Sequence, residues 1–271
     1  MLITSPHNPR FRHLLSLSKK KNRTQEKLFV IEGQREITRA LACGLRLHSL
    51  FESIENTESL IDAISTTDNF YNYQLPPDLF IKASYRANPT GHLAIFFKPN
   101  TNLKQFDQNF GLKIKDIIVL VIESPEKPGN VGALLRTADA VGVDCTIITN
   151  PKLDLFNPNV IRAAAGTFFS HPIYLANNET TIKLLKQNKI KIICTTPNAK
   201  QYYHEIKYTK PFAIVAGAED QGLSNQMLNT ADQTIKIPMR GIADSLNLSV
   251  ATAVVLYEAT KKIADNNKST I

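Results

Sequence analysis

Residues 116–149 read DIIVLVIESPEKPGNVGALLRTADAVGVDCTIIT, and this stretch decides the fold. Its first nine residues hold an unbroken apolar run, Ile117–Ile122. A strand buried on both faces of a sheet needs such a run, whereas a half-exposed strand would alternate. Over 130–142, Val131, Leu134, Leu135, Ala138 and Val141 fall on one helical face. A second apolar run, 144–149, follows at once. Strand, helix and strand in this order predict a crossover unit in a parallel sheet with helices on its faces.

The alternation continues toward the C-terminus. NVIRAAAG (159–166) reads as a helix, with a short strand around FFSHPIYL (168–175). TTIKLLKQN (180–188) reads as a helix, and KIICTT (191–196), FAIVAG (212–217) and TIKIPM (234–239) as strands. A long helix is expected over 245–264, with a frayed tail over 265–271. Before residue 116, strands are expected at 27–33, 47–53 and 92–98, and helices at 35–44 and 77–85. The intervening 99–113, PNTNLKQFDQNFGLK, is rich in Asn and Gln and reads as a linker. The expected organisation is an α/β domain over 1–98, a linker over 99–113 and a larger α/β domain over 114–271.

The chain has 271 residues and a formal net charge of +8. Most of that excess is local. Residues 1–50 hold ten Lys/Arg against three acids. Arg10, Arg12, Lys19, Lys20, Lys21 and Arg23 lie within fourteen positions of one another. A concentrated basic run favours a polyanion, and RNA is the partner expected here, although a solvated helix face would carry the same charges. The three cysteines and six histidines are scattered, with no CxxC or HExxH. No metal site and no disulfide framework is expected, and each cysteine should pack as a small apolar residue. No apolar run of membrane-spanning length occurs, and MLITSPHNPRFRHLL lacks the apolar segment of a signal peptide. A cytoplasmic protein without a membrane partner is expected.

GxGxxG, GxxxxGK[ST] and GxSxG are all missing, so dinucleotide, P-loop and serine-hydrolase readings lose their support. Three other segments place small and polar residues at strand ends before helices, where open α/β sheets bind ligands. The first runs from Glu123 through Asn130 to Arg136. Asn130 is expected to cap a helix, and Arg136 stands alone among small apolar neighbours; an ordinary solvent-facing arginine would look the same. The second is GAEDQGLS, Gly217 to Ser224, two glycines bracketing two acids. An ordinary turn would look the same. The third is IPMRGIADSLNLSVA, Ile237 to Ala251. Capping explains Ser245 or Asp244, but Asn247 and Ser249 inside an apolar helix call for partners.

In this order and spacing, NVGALLRTADAVGVD, GAEDQGLS and IPMRGIADSLNLSVATAVVLYEA resemble the three signature motifs of the SpoU/TrmH family of SPOUT RNA methyltransferases. NPNVIRAAAGTFF resembles a stretch carried between the first two. NPRFRHLLSLSKKKNR, FVIEGQREITRAL and NPTGHLAIF resemble the RNA substrate-binding domain that precedes many members. Asp220 departs from the pattern, standing where glycine is frequent.

The resemblance implies a C-terminal SPOUT domain with a parallel sheet and a deep trefoil knot. It implies S-adenosylmethionine as methyl donor, a homodimer, and transfer to a ribose 2′-hydroxyl, with ribosomal RNA favoured by the two-domain build. By position, Gly217, Ile237 and Leu246 would hold the donor through their backbones. Met239 would line its pocket and Thr195 would touch the adenosine. Arg136, Asn130, Glu219, Ser245 and Asn247 would form the reaction centre. A transfer RNA target, a resistance methylation of ribosomal RNA, and an idle RNA-binding assembly factor stand as alternatives.

Overall fold

The computed structural model describes residues 1–56, 59–61, 64 and 70–268, with side chains to residue 265. The last three residues of the expected frayed tail lie outside the described residues; before them the final helix runs on to Lys268. The chain divides into two compact units, Met1–Asn100 with Phe156–Ser170, and Thr101–Leu155 with His171–Ile271.

The first unit begins with helices α1 (Pro9–Ser16) and α2 (Lys20–Glu26). Asn8 caps α1 by accepting from the Arg10 amide, and a proline occupies the first turn. Then come β1 (Leu28–Glu32), α3 (Gln34–Ala42), β2 (Leu47–Ser53), β3 (Tyr71–Leu75), α4 (Pro77–Ala83) and β4 (His92–Phe97). The sheet order is β1-β4-β2-β3. Strand β4 runs antiparallel to β1 and β2, and β3 runs parallel to β2. Phe11, Leu14, Leu28, Val30, Phe51 and Ile95 lie in the core on one face of this sheet.

The second unit holds α5 (Phe106–Phe110), β5 (Ile118–Glu123), α6 (Pro128–Val141) and β6 (Cys145–Thr149). Helices α7 (Pro158–Ala163) and α8 (Thr167–Ser170) follow in the chain but belong to the first unit. The second unit resumes with β7 (Ile173–Ala176), α9 (Asn178–Gln187), β8 (Lys191–Thr195), β9 (Gln201–Tyr202), β10 (Phe212–Ala216), α10 (Asn225–Leu228), β11 (Gln233–Lys236) and α11 (Leu248–Lys268). Seven strands in the order β7-β6-β5-β10-β8-β11-β9 make a wholly parallel sheet. The apolar run read first, now β5, is buried along its whole length between β6 and β10. Among the described residues no helix is long and apolar enough to cross a membrane.

Two expectations about organisation change. Residues 101–113 are not a linker. Leu103, Phe106 and Phe110 sit in the core of the second unit, and the Leu175 amide donates to the Thr101 carbonyl at 2.8 Å. Their 3, 4 spacing is a helical period that the surrounding Asn and Gln obscured. Nor does the larger domain run unbroken from residue 114. The connection between β6 and β7 is part of the first unit, where the Phe156 and Phe168 rings lie 5.0 and 6.5 Å from that of Phe29. The Arg39 guanidinium donates to the Ala165 carbonyl beside them. Cys43 is also exposed rather than packed, while Cys145 and Cys194 are buried.

Candidate active site

All strands of the larger sheet point their carboxyl ends the same way, so the loops after β5, β6, β8, β10 and β11 gather at one edge. Glu123, the last residue of β5, is buried. Its carboxylate accepts from the Asn178 side-chain amide, at the head of α9, and from the Ser224 backbone amide at 2.9 Å. Asn178 also donates to the Ser224 hydroxyl at 3.2 Å. One buried carboxylate thus ties the end of β5 to the start of α9 and to the loop that leaves β10. Charged acceptors bonded in this way are among the stronger buried contacts. Glu123 stands in the first motif yet was not singled out in the sequence; a charge closing a buried strand was the available signal.

The loop after β10 closes on itself. Ala218 and Gly222 exchange both backbone hydrogen bonds, at 3.1 and 3.0 Å. A Cβ on Gly217 would fall onto the Gly222 carbonyl and lie 2.5 Å from the Leu223 nitrogen. Gly217 is therefore required by the loop itself, and Gly222 by its φ of 66°. This turn carries Glu219 back to α6.

There Asn130 receives it. Helix α6 starts at Pro128 with Lys127 as its cap, so Asn130 is not the capping residue expected. Its side-chain amide instead donates to Glu219. Its carbonyl oxygen accepts from the Asn247 amide at 3.2 Å. Asn247 in turn is not inside a helix. It precedes α11, its side-chain oxygen accepting from the Ser249 amide at 2.9 Å and its backbone carbonyl from Ala251. The capping role expected of Ser245 or Asp244 belongs to Asn247. One hydrogen-bonded chain, Glu219–Asn130–Asn247–Ser249, therefore joins all three motifs.

The other predicted residues lie around it. Thr195 ends β8, and its hydroxyl donates to the Val215 carbonyl at 3.1 Å. Ile237 leaves β11 half-buried, and every residue from 238 to 247 is exposed, including Met239, Ser245 and Leu246. Arg136 is exposed on α6. Six residues of helix separate it from Asn130, about 9 Å of rise and a third of a turn away from its face. Within one chain the hydrogen-bonded motif chain does not include it.

The edge fits a polar ligand. Glu219 Oε2, Thr149 Oγ1 and Asn178 Oδ1 are buried without a hydrogen-bond partner among the described residues, and all three lie at carboxyl ends of strands or just beyond. Buried acceptors of this kind call for donors. No group of three or more His, Cys, Asp or Glu suited to a metal occurs among the described residues.

Of the basic residues expected to meet RNA, Arg10, Arg12, Lys19, Lys20 and Lys21 are exposed. Arg23 is not. It is 3% exposed, and its guanidinium donates to the Leu17 and Ser18 carbonyls at 2.7 Å each, closing the end of α1. It is a structural arginine, and its place in the predicted RNA-binding set is corrected.

Comparison with known proteins agrees with this geometry. Residues 117–257 match the SpoU rRNA Methylase family, and residues 8–94 match the MRM3-like substrate binding domain. The chain is 29% identical over 256 residues to the 23S rRNA (guanosine(2553)-2'-O)-methyltransferase RlmP of Bacillus subtilis, covering 94% of this chain and 97% of that protein. A solved RNA 2'-O ribose methyltransferase is 34% identical, with a TM-score of 0.83 over 97% of this chain and 100% of that one. The AdoMet-bound rRNA methyltransferase of Sinorhizobium meliloti is 27% identical, with a TM-score of 0.88 over 96% and 97% of the two chains. A substrate-binding unit, a seven-stranded parallel sheet and three motifs joined at one edge thus occur together, and the chain belongs to the SpoU rRNA methylase family.

Proposed function

We propose that the protein transfers the methyl group of S-adenosylmethionine to a ribose 2′-hydroxyl of ribosomal RNA. The observation that carries this reading is the Glu219–Asn130–Asn247 chain, which draws three distant loops to one sheet edge and leaves a buried carboxylate oxygen awaiting a donor. The names of the relatives above support the donor and the RNA class.

S-adenosylmethionine supplies, when bound, a methyl group on a sulfonium that is already electrophilic. The residues of the chain have positioning and charge stabilisation to perform. Gly217, Ile237 and Leu246 hold the donor through their backbones. Met239 lines its pocket, and Thr195 faces the adenosine. Glu219, held by Asn130, offers its free oxygen to a polar hydrogen at the site. Ser245 and Asn247 set the third wall. Arg136 remains protonated, because a guanidinium scarcely loses its proton in proteins. Its charge stabilises the 2′-alkoxide as it develops.

The exposed position of Arg136 supports a homodimer in which the arginine of one copy serves the site of the other. Leu246, Val250 and Tyr257, exposed at 38, 49 and 56%, form a stripe that continues along α11 and suits a second copy of this chain. The proposed fold includes a deep trefoil knot. Its support is the strand order, in which β10 lies between β5 and β8, and the return of α11 to pack on α6. The substrate implies the cytoplasm as the place of work.

Calorimetry with S-adenosylmethionine separates this reading from an idle RNA-binding scaffold, which need not bind it. Labelled donor incubated with ribosomal RNA should yield label in a 2′-O-methylated nucleoside after digestion. Binding without transfer to any ribosomal RNA would reject the substrate, and no binding would reject the reading.

A further inference from the structure

We infer that the sheet edge carrying Arg10, Arg46, His48, Tyr71 and Phe97 seats an unpaired nucleotide of the RNA, its base stacked on Tyr71 and its phosphates met by the two arginines. The inference rests on the RNA reading above and adds where the strand is gripped and in what form.

Strands β2 and β3 start at this edge and β4 ends there. Tyr71 pairs in register with Ser49, and the Phe97 amide donates to the Arg46 carbonyl at 3.0 Å. Helix α1 adds Arg10 and His13, three residues apart and so on one side of the helix. Tyr71 is 55% exposed, an aromatic ring that the core does not use. Behind it Tyr73 is buried and stacked at 6.3 Å with an interplanar angle of 18°, which fixes the platform. The Arg10 guanidinium lies 5.5 Å from the Tyr71 ring centre, and that of Arg46 lies 3.7 Å over Phe97. His48 sits between them, 5.9 Å from Tyr71 and 5.6 Å from Phe97.

The charge around these rings is mostly positive. Glu26 is paired with His13 at 2.6 Å, and neither Arg10 nor Arg46 forms an ion pair among the described residues. These groups act on His48: burial lowers its proton affinity first, and His13, Arg10 and Arg46 lower it further against the opposing pull of Glu26. Rings flanked by unneutralised guanidiniums match a chain of bases and phosphates. A duplex would present phosphates but keep its bases stacked internally, leaving Tyr71 unused; splayed loop nucleotides use both features. An acidic peptide would answer the cations but not the rings.

The test uses the full-length protein and two RNA probes, a hairpin with 2-aminopurine in its unpaired loop and a blunt duplex of equal charge. The wild type should bind the hairpin and quench the 2-aminopurine. Tyr71→Ala should weaken hairpin binding roughly tenfold and abolish the quench, as loss of one aromatic stack does. Tyr71→Phe should retain both, and duplex binding should not change. Lys82→Ala, an exposed basic residue on α4, controls for simple charge loss. Normal hairpin binding and quench in Tyr71→Ala would overturn the inference alone, as would equal losses on hairpin and duplex. Failure of the wild type to bind any RNA would overturn the RNA reading with it. A circular dichroism spectrum and thermal melt like those of the wild type show that Tyr71→Ala is folded, and Arg46→Ala, expected to weaken hairpin binding while keeping the quench, provides a second readout should it fail that check.

Discussion

Asn130, in the first turn of α6, gives its side-chain amide to Glu219, 89 residues further along the chain. With its other side-chain atom it accepts from Asn247. One short amide therefore holds two loops that have no other reason to meet. Asn130→Ala should leave Glu219 without its donor, costing about 1–3 kcal/mol of stability and weakening donor binding. Asn130→Asp should be worse, because two carboxylates would face each other. Thermal melts and calorimetry check both; wild-type values for Asn130→Ala would show that the bridge is idle.

Arg136 is a separate case, since it supports no part of the chain's own fold that the hydrogen bonds reveal. Arg136→Ala is expected to lower the transfer rate by about two decades or more, the loss typical of a charge-stabilising donor, with donor affinity unchanged. A pH–rate profile of Arg136→Lys separates stabiliser from base. A base role predicts partial rescue at high pH, where lysine loses its proton; the stabiliser role predicts none.

The shared-site dimer makes a prediction of its own. Neither Arg136→Ala nor Glu219→Ala alone should be active. Mixed and reassorted, they should regain activity, because each mixed dimer would hold one site with both residues intact. If all site residues came from one chain, the mixture would stay as inactive as its components.

The two kinds of basic residue near the N-terminus should separate cleanly. Arg23→Ala removes a buried cation from two carbonyls and should cost on the order of 2 kcal/mol or more of stability. Lys20→Ala with Lys21→Ala should leave the melting temperature in place and reduce RNA affinity, with a shallower dependence on salt. A stable Arg23→Ala protein with weakened RNA binding would reverse this assignment.

His171 gives the acid side of the stability profile. It is 6% exposed, with the Thr146 hydroxyl 2.8 Å from its Nε2, and burial lowers its pKa from 6.5 to about 4. Between these values the unfolded chain binds the proton that the folded chain refuses. Stability is thus complete above pH 6.5 and declines as pH falls toward 4, by at most about 3 kcal/mol. His171→Gln should flatten this part of the denaturation profile. An unchanged slope would mean that another group carries it.

What could be read in the sequence follows from the range of each signal. The buried strands β5, β6, β8 and β10 announce themselves as apolar runs, because burial on both faces leaves no alternation. Strand β3 escaped because YNYQL is short and polar where it faces outward. The motifs identified the site's members, but not their bonds. Asn130 and Asn247 each looked like the wrong half of a cap, since both helix starts lie three residues from where the pattern put them. Gly217 looked like a ligand contact, and the close approach of Gly222, which leaves no room for a Cβ there, had no trace in the sequence. Arg23 was indistinguishable from its exposed neighbours, as no periodicity marks a guanidinium turned back onto carbonyls. That 156–170 belong with the first unit is a non-local fact with no local trace.

Methylation of a ribose 2′-hydroxyl removes the nucleophile that cleaves RNA in alkali, so the most direct measurement is an alkaline ladder of ribosomal RNA treated with the protein and S-adenosylmethionine. One rung should be lost, dependent on the donor and on Arg136. A complete ladder, with the methyl group recovered on a base instead, would contradict transfer to the ribose.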